Sequence, residues 1–176
     1  MLWEIRGMMM NRLMIGSGAL LMLAACGGEA PKPVVEKPKT LVAGEYEVIS
    51  EVTMLSSTDK TTPATQLKKG DKQTIRACVA ADGTPDPKMF VEAGDKCRVD
   101  GSYARSGRLS VQYTCNRAGK GDINLNADGN FTADGYKAIV TAGSSFPGNG
   151  DYTLTRMLNA KRLGGCPAGA AAPTAG

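Results

Sequence analysis

The sequence predicts an all-β, mainly antiparallel domain: a small β-barrel or sandwich of about seven or eight strands with one short helix and two disulfides. Three observations carry this expectation. Stripes rich in Val, Ile and Tyr, alternating apolar with polar, recur at short intervals through residues 45–154. Gly, Asp and Asn punctuate them as turns require. Four cysteines, Cys78, Cys97, Cys115 and Cys166, form an even set of the kind that pairs in an oxidising compartment.

Taken in order, Glu45 to Met54 bears Val and Ile and alternates imperfectly, as a strand. Lys69-Gly70-Asp71 reads as a turn leading into a strand over Lys72 to Val79. Asp86 can cap a short helix with Pro87 in its first position and Gly94 as its stop. Arg105-Ser106-Gly107 reads as a three-residue hairpin loop with Gly in the left-handed position. That loop pairs Ala104 with Arg108, and then Tyr103 with Leu109, Gly101 with Val111, Val99 with Tyr113 and Cys97 with Cys115. The last four pairs share one face, because side chains alternate along a strand. Four cysteines allow three pairings, and this register favours Cys97–Cys115. Cys78 then pairs with Cys166 by elimination, closing a long loop.

Further along, Ile123 and Leu125 alternate with polar neighbours. Ala127-Asp128-Gly129 repeats the turn pattern and would set Leu125 opposite Phe131. Tyr136, Ala138 and Val140 make another stripe, and Tyr152 and Leu154 a last one.

The flanks are of another kind. Arg12 precedes an apolar run, Leu13 to Ala25, which is too short to span a bilayer and suits a signal-peptide core. It ends in Leu23-Ala24-Ala25-Cys26, which resembles the lipobox of bacterial lipoproteins. Small residues fit the narrow pocket of the peptidase, and the Cys26 thiol must follow at once because it takes the diacylglyceryl group. Residues 1–25 are therefore expected to be a signal peptide, with Cys26 the lipidated first residue of the mature chain. Glu4 is unusual before such a core, so translation is expected to start at Met8, Met9 or Met10. Gly27 follows the cysteine in place of Asp, which by the usual sorting rule directs a lipoprotein to the outer membrane, facing the periplasm. Residues 26–40 carry three prolines and read as an extended tether. The β domain is expected over 41–166, and a disordered tail of small residues and Pro over 167–176.

Composition narrows the function. The chain has no histidine, which excludes His-based triads and His metal sites. Aromatics at 5% make a stacking platform for nucleic acid unexpected. Without Arg6, Arg12 and Glu4 the mature chain carries 19 basic and 16 acidic side chains, a net +3 with no basic run. No CxxC spacing suggests zinc, and no metal or cofactor is expected. Asn124-x-Asn126-x-Asp128-Gly129 resembles half a calcium loop, but its twelfth position is Gly135 where a bidentate Glu is needed. Gly119-Lys120-Gly121 and Gly148-Asn149-Gly150 lack the strand–glycine–helix setting of a phosphate cradle and read as loops.

Several motifs in order resemble a bacterial family known as domain of unknown function family 3617. Gly44-Glu45-Tyr46-Glu47 is similar to its Gly-x-aromatic-Glu opening, with Tyr where the family often has Trp. Cys78 precedes an Asp/Pro segment, Cys97 and Cys115 flank a hairpin, and Arg162-Leu163-Gly164-Gly165-Cys166 is similar to the family's Arg-x-Gly-x-Cys close. The resemblance implies a small β domain in the cell envelope and supplies no activity.

Three functions compete. The leading expectation is a non-catalytic, membrane-anchored module of the envelope that binds a protein or a cell-wall component. A carrier of a small apolar ligand would need an internal cavity, with Tyr103, Leu109, Val111 and Tyr113 as a candidate wall. A glycan hydrolase would need two of Glu92, Asp95, Asp100 and Asp122 facing one cleft. No catalytic residue is assigned.

Overall fold

In a computed structural model the described residues are 38–169; Cys26, its lipobox residues Leu23, Ala24 and Ala25, and most of the tether lie outside them. Seven antiparallel strands form one sheet: β1 (Gly44–Ser57), β2 (Lys72–Val79), β3 (Lys96–Arg105), β4 (Arg108–Arg117), β5 (Gly121–Phe131), β6 (Gly135–Ser145) and β7 (Tyr152–Gly164). Their spatial order is β2-β1-β7-β6-β5-β4-β3, and the sheet curls into a half-barrel. The described strands all belong to one contact unit, Val35–Gly176.

Period-two alternation builds the concave face. Tyr46, Val48 and Val52 point inward from β1, and Leu109, Val111, Tyr113 and Cys115 from β4. Ile123, Leu125, Ala127 and Phe131 follow from β5, Tyr136, Ala138, Val140 and Ala142 from β6, and Tyr152, Leu154, Leu158 and Ala160 from β7. This is one continuous core.

The strand order has a consequence for the β2–β3 connection. Strands β2 and β3 are consecutive in sequence yet sit at opposite edges of the sheet. Residues 80–95 therefore cross the open mouth of the half-barrel, and they fill it. Asp86 caps a single 3-10 turn, Pro87–Met89, its carboxylate accepting from Lys88 N at 2.9 Å. Met89 and Phe90 are fully buried, and the Phe90 ring lies 6.0 Å from both Tyr113 and Tyr136. The expected short helix is thus one turn: its cap and proline are where the sequence puts them, but the chain must continue across the mouth after Phe90.

Two turns differ from expectation. The β3–β4 hairpin closes with two residues, Ser106 and Gly107, both at positive φ (51° and 78°), so Arg105 pairs with Arg108 and Ala104 with Leu109. This is the primed geometry that matches strand twist. A bulge at Asp100, between Val99 and Gly101, then restores the expected pairs Val99–Tyr113 and Cys97–Cys115. Between turn and bulge the phase is reversed, so Tyr103 faces outward at 50% exposure while Ser102 and Ala104 take the positions opposite Val111 and Leu109. Tyr103 is therefore no part of an interior wall.

The expected turn at Ala127-Asp128-Gly129 is instead the middle of β5, which runs unbroken to Phe131 and pairs on both sides. The chain turns at Thr132 to Asp134. Gly129 is required by close approach: a Cβ there would stand 2.1 Å from the Lys137 carbonyl oxygen and 2.8 Å from the Ala138 methyl. A glycine read as a turn signal is here a strand glycine.

Both cysteine pairs form as expected. Cys97 and Cys115 are directly opposed, with Cα atoms 3.9 Å apart, and Cys78 joins Cys166 with Cα atoms 6.0 Å apart.

Candidate functional site

The half-barrel has two ends and an outer face. At one end the chain enters and leaves. Ser106 N donates to Lys39 O, Thr40 bridges to Arg105, and Leu41 is buried beneath them. Tyr46 Oη donates to Val42 O at 2.7 Å and Arg162 Nε to Ala43 O at 2.9 Å, while Cys166 is tied back to β2.

The opposite end carries a polar cluster. Arg117, at the end of β4, donates twice to Asp95, both at 2.7 Å, and lies 3.2 Å from Glu92. Its guanidinium also donates to Ala64 O and lies over the rings of Phe146 and Tyr152 at 5.8 and 6.0 Å. Glu92 accepts from Tyr152 Oη at 2.8 Å and from Thr65 Oγ1 at 2.6 Å. The hydrogen bonds from Arg117 to Asp95 hold the arginine charged well above its usual range, the Coulomb pull of Glu92 adding to them against desolvation. Asp59 accepts from the backbone N–H of Gly150 and Asp151, both at 3.1 Å, and so pins the 58–71 loop to the β6–β7 turn. Hydrogen bonds from Thr61 hold its carboxyl far below the ordinary carboxylate range.

This arrangement bears on acid–base chemistry. Glu92 and Asp95 come together around Arg117, which lies 3.2 Å from the first and 2.7 Å from the second. Asp100 lies elsewhere, on the outer face, bonded to Arg98 at 2.8 Å and accepting from Thr114. Asp122 accepts from Asn116 Nδ2 at 2.8 Å. Asp100 and Asp122 thus share the outer face near Arg98, apart from the Glu92 and Asp95 pair at Arg117. The cluster's work is mechanical: it latches the 80–95 crossing and the 58–71 loop onto the ends of β4 and β7. Among the described residues no group of three or more Cys, Asp or Glu is placed to hold a metal ion.

The outer face carries an apolar stripe. Ile139 and Met157 are directly paired across β6 and β7, and Ile49 on β1 sits diagonally beyond; they are 52, 56 and 45% exposed. All three line an open groove of about 580 Å³, and Ile49 also lines an overlapping one of about 630 Å³; Glu47, Lys72, Lys137 and Lys161 rim them.

Inside, the sequence reading missed Arg156. It points inward from β7 at 1% exposure, donates to Phe90 O through one Nη, and has Ser50 Oγ 3.5 Å from the other. Desolvation pushes its guanidinium below the usual range, opposed by the charge of Glu92. The signal was present: 152, 154, 158 and 160 are inward positions, and 156 shares their parity.

These features define a small, disulfide-stapled half-barrel protein without histidine and with its mouth closed by its own chain. The chain belongs to the family described as Protein of unknown function (DUF3617), whose model matches residues 32–166. No curated protein and no solved structure matches the chain.

Proposed function

We propose that this is a lipid-anchored protein of the bacterial envelope, acylated at Cys26 and held at the outer membrane facing the periplasm, whose β domain is a non-catalytic module that binds another envelope protein. The observation that carries the reading is the geometry of attachment. Residues 39–41 are clasped at one end of the half-barrel, beside the Cys78–Cys166 staple. A tether from Cys26 would join the domain there and leave the outer face and the opposite end clear of the membrane. The order of Arg12, apolar run, Leu23-Ala24-Ala25 and Cys26 supports export and acylation. Two or more acyl chains would give stable anchoring, at about 0.8 kcal/mol per buried CH₂. The paired cysteines fit an oxidising compartment. A protein partner is favoured over a cell-wall glycan because the exposed stripe is aliphatic, with no aromatic face on which a sugar ring would stack.

Fractionation of cells producing Cys26→Ala tests the anchor: the protein should leave the membrane fraction, and full retention refutes acylation there. A photo-crosslinker at Ile139 in intact cells tests the module, with one dominant adduct expected that is absent when the crosslinker replaces Lys120 at the β4–β5 turn. Equal adducts from both positions refute a role for the stripe.

A further inference from the structure

The interior holds an arginine whose charge is incompletely matched. Burying a guanidinium is costly unless a carboxylate or an equivalent set of acceptors satisfies it. Around Arg156 the acceptors are the Phe90 carbonyl and the distant Ser50 hydroxyl; Nε has no partner among the described residues. Glu92 acts on it through space, but that carboxylate already serves Tyr152, Thr65 and Arg117. A second buried polar atom, Tyr136 Oη, also lacks a partner among the described residues, and the charge of Arg156 is felt at it. Both side chains are about 98% or more buried and both border Phe90.

Phe90 therefore does two things at once. Its carbonyl offers an oxygen to the guanidinium, and its ring, with Met89, fills the apolar space beside Tyr113 and Tyr136. An amphiphile with a carboxylate head has the same two parts and supplies the negative charge that the carbonyl lacks. Charge-assisted, forked hydrogen bonds from arginine to carboxylate are about twice as strong as neutral ones. We propose that the half-barrel interior is a binding site for a long-chain monocarboxylate, whose head pairs with Arg156 and Tyr136 and whose tail takes the place of Met89 and Phe90 when the 80–95 crossing swings aside. The crossing is held by Asp86 N to Cys78 O, by the Phe90 carbonyl on Arg156 and by Glu92 and Asp95 at the Arg117 cluster; none of these belongs to the strand ladders, so it can move without unpairing a strand once the carboxylate replaces the Phe90 carbonyl. This inference goes beyond the anchored-module reading and is independent of the acyl chain on Cys26.

The test uses the chain from Gly27 onward, which contains the whole β unit and both disulfides, with 11-(dansylamino)undecanoate as fluorescent probe. Saturable enhancement at one probe per chain is expected, reversed by oleate. Oleyl alcohol, with the same tail and no charge, should compete about tenfold more weakly or worse. Phe90→Ala removes the resident ring and should tighten probe binding; Arg156→Met should weaken it at least about tenfold. Absence of saturable binding by both the unmodified chain and Phe90→Ala overturns the proposal, as does equal competition by oleate and oleyl alcohol. The acid-to-alcohol comparison needs no substitution, so it decides the matter even if Arg156→Met fails to fold. Loss of this binding would leave the fractionation and crosslinking results untouched.

Discussion

The two ends of the half-barrel are closed by different physics. At the end where the chain enters and leaves, a disulfide spans 88 residues and backbone carbonyls accept from Tyr46 and Arg162. At the opposite end the disulfide spans only 18 residues, and a charged cluster around Arg117 supplies much of the cohesion. A long covalent loop stabilises chiefly by restricting the unfolded chain. A buried ion cluster acts in the folded state, and only while every member is present. The first end should thus respond more strongly to reductant, and the second to loss of a single charge.

The comparison can be broken first at the long disulfide. The chain-entropy relation gives about 4.6 kcal/mol for the 88-residue loop. The double variant Cys78→Ala/Cys166→Ala should lose roughly that amount in denaturant unfolding; a loss near 1 kcal/mol would show that the termini hold without the bridge. Next comes Arg117→Met, which leaves Asp95 and Glu92 facing each other in a poorly hydrated site and should cost about 4 kcal/mol. Adding Asp95→Asn to that variant should recover part of the loss, and an unchanged stability would deny the cluster its role. Removing the short bridge with Cys97→Ala/Cys115→Ala should cost about 3.2 kcal/mol, about 1.4 less than the long one. Equal costs for the two would mean that strand pairing already constrains the unfolded β3–β4 hairpin.

Alkali should act more gently, and on both ends. Burial pushes the Tyr46 phenol up to about 12, against the opposing pull of Arg162. Burial also raises Tyr113, Tyr136 and Tyr152. A phenol whose folded value lies above its unfolded value of about 10 leaves stability intact below pH 10, and stability falls as pH climbs toward 12. Tyr46 lies at the chain-terminus end and Tyr152 beside Arg117, so hydrogen exchange should quicken at both ends as pH climbs above about 10; exchange unchanged up to about pH 12 would deny the buried phenols this role. The smallest effect belongs to the outer stripe: Ile139→Ser should change stability by less than about 0.5 kcal/mol, since the side chain is half exposed. It should abolish the Ile139-centred crosslink if the stripe is the contact surface.

Much of this was legible in the residues. Residues 72–79 are a strand as expected, the stripes at 136–140 and 152–154 are strands with the expected inward faces, and both cysteine pairs follow from one register and elimination. The errors share a cause. A bulge at Asp100 and a register shift between Val52 and Met54 each reverse the alternation, so Tyr103 turns outward and β1 alternates imperfectly. Bulges leave no local composition signal, because their position is set by how neighbouring strands must twist to close the curve. Gly129 misled for a related reason: the same residue type serves a turn or a close inter-strand contact, and only the neighbouring strand tells which.

By itself, then, the sequence determined the all-β class, the cysteine pairing and the absence of histidine chemistry, because each depends on residue identity and local spacing. Tertiary structure alone decided that β2 and β3 lie at opposite edges and that the connection between them must cross the mouth. It also decided that Glu92 and Asp95 meet at Arg117, and that Arg156 is buried against Phe90. Those contacts join residues from 22 positions apart, Asp95 and Arg117, to 66, Phe90 and Arg156. Such juxtapositions are set by the curl of the sheet, which no local pattern encodes.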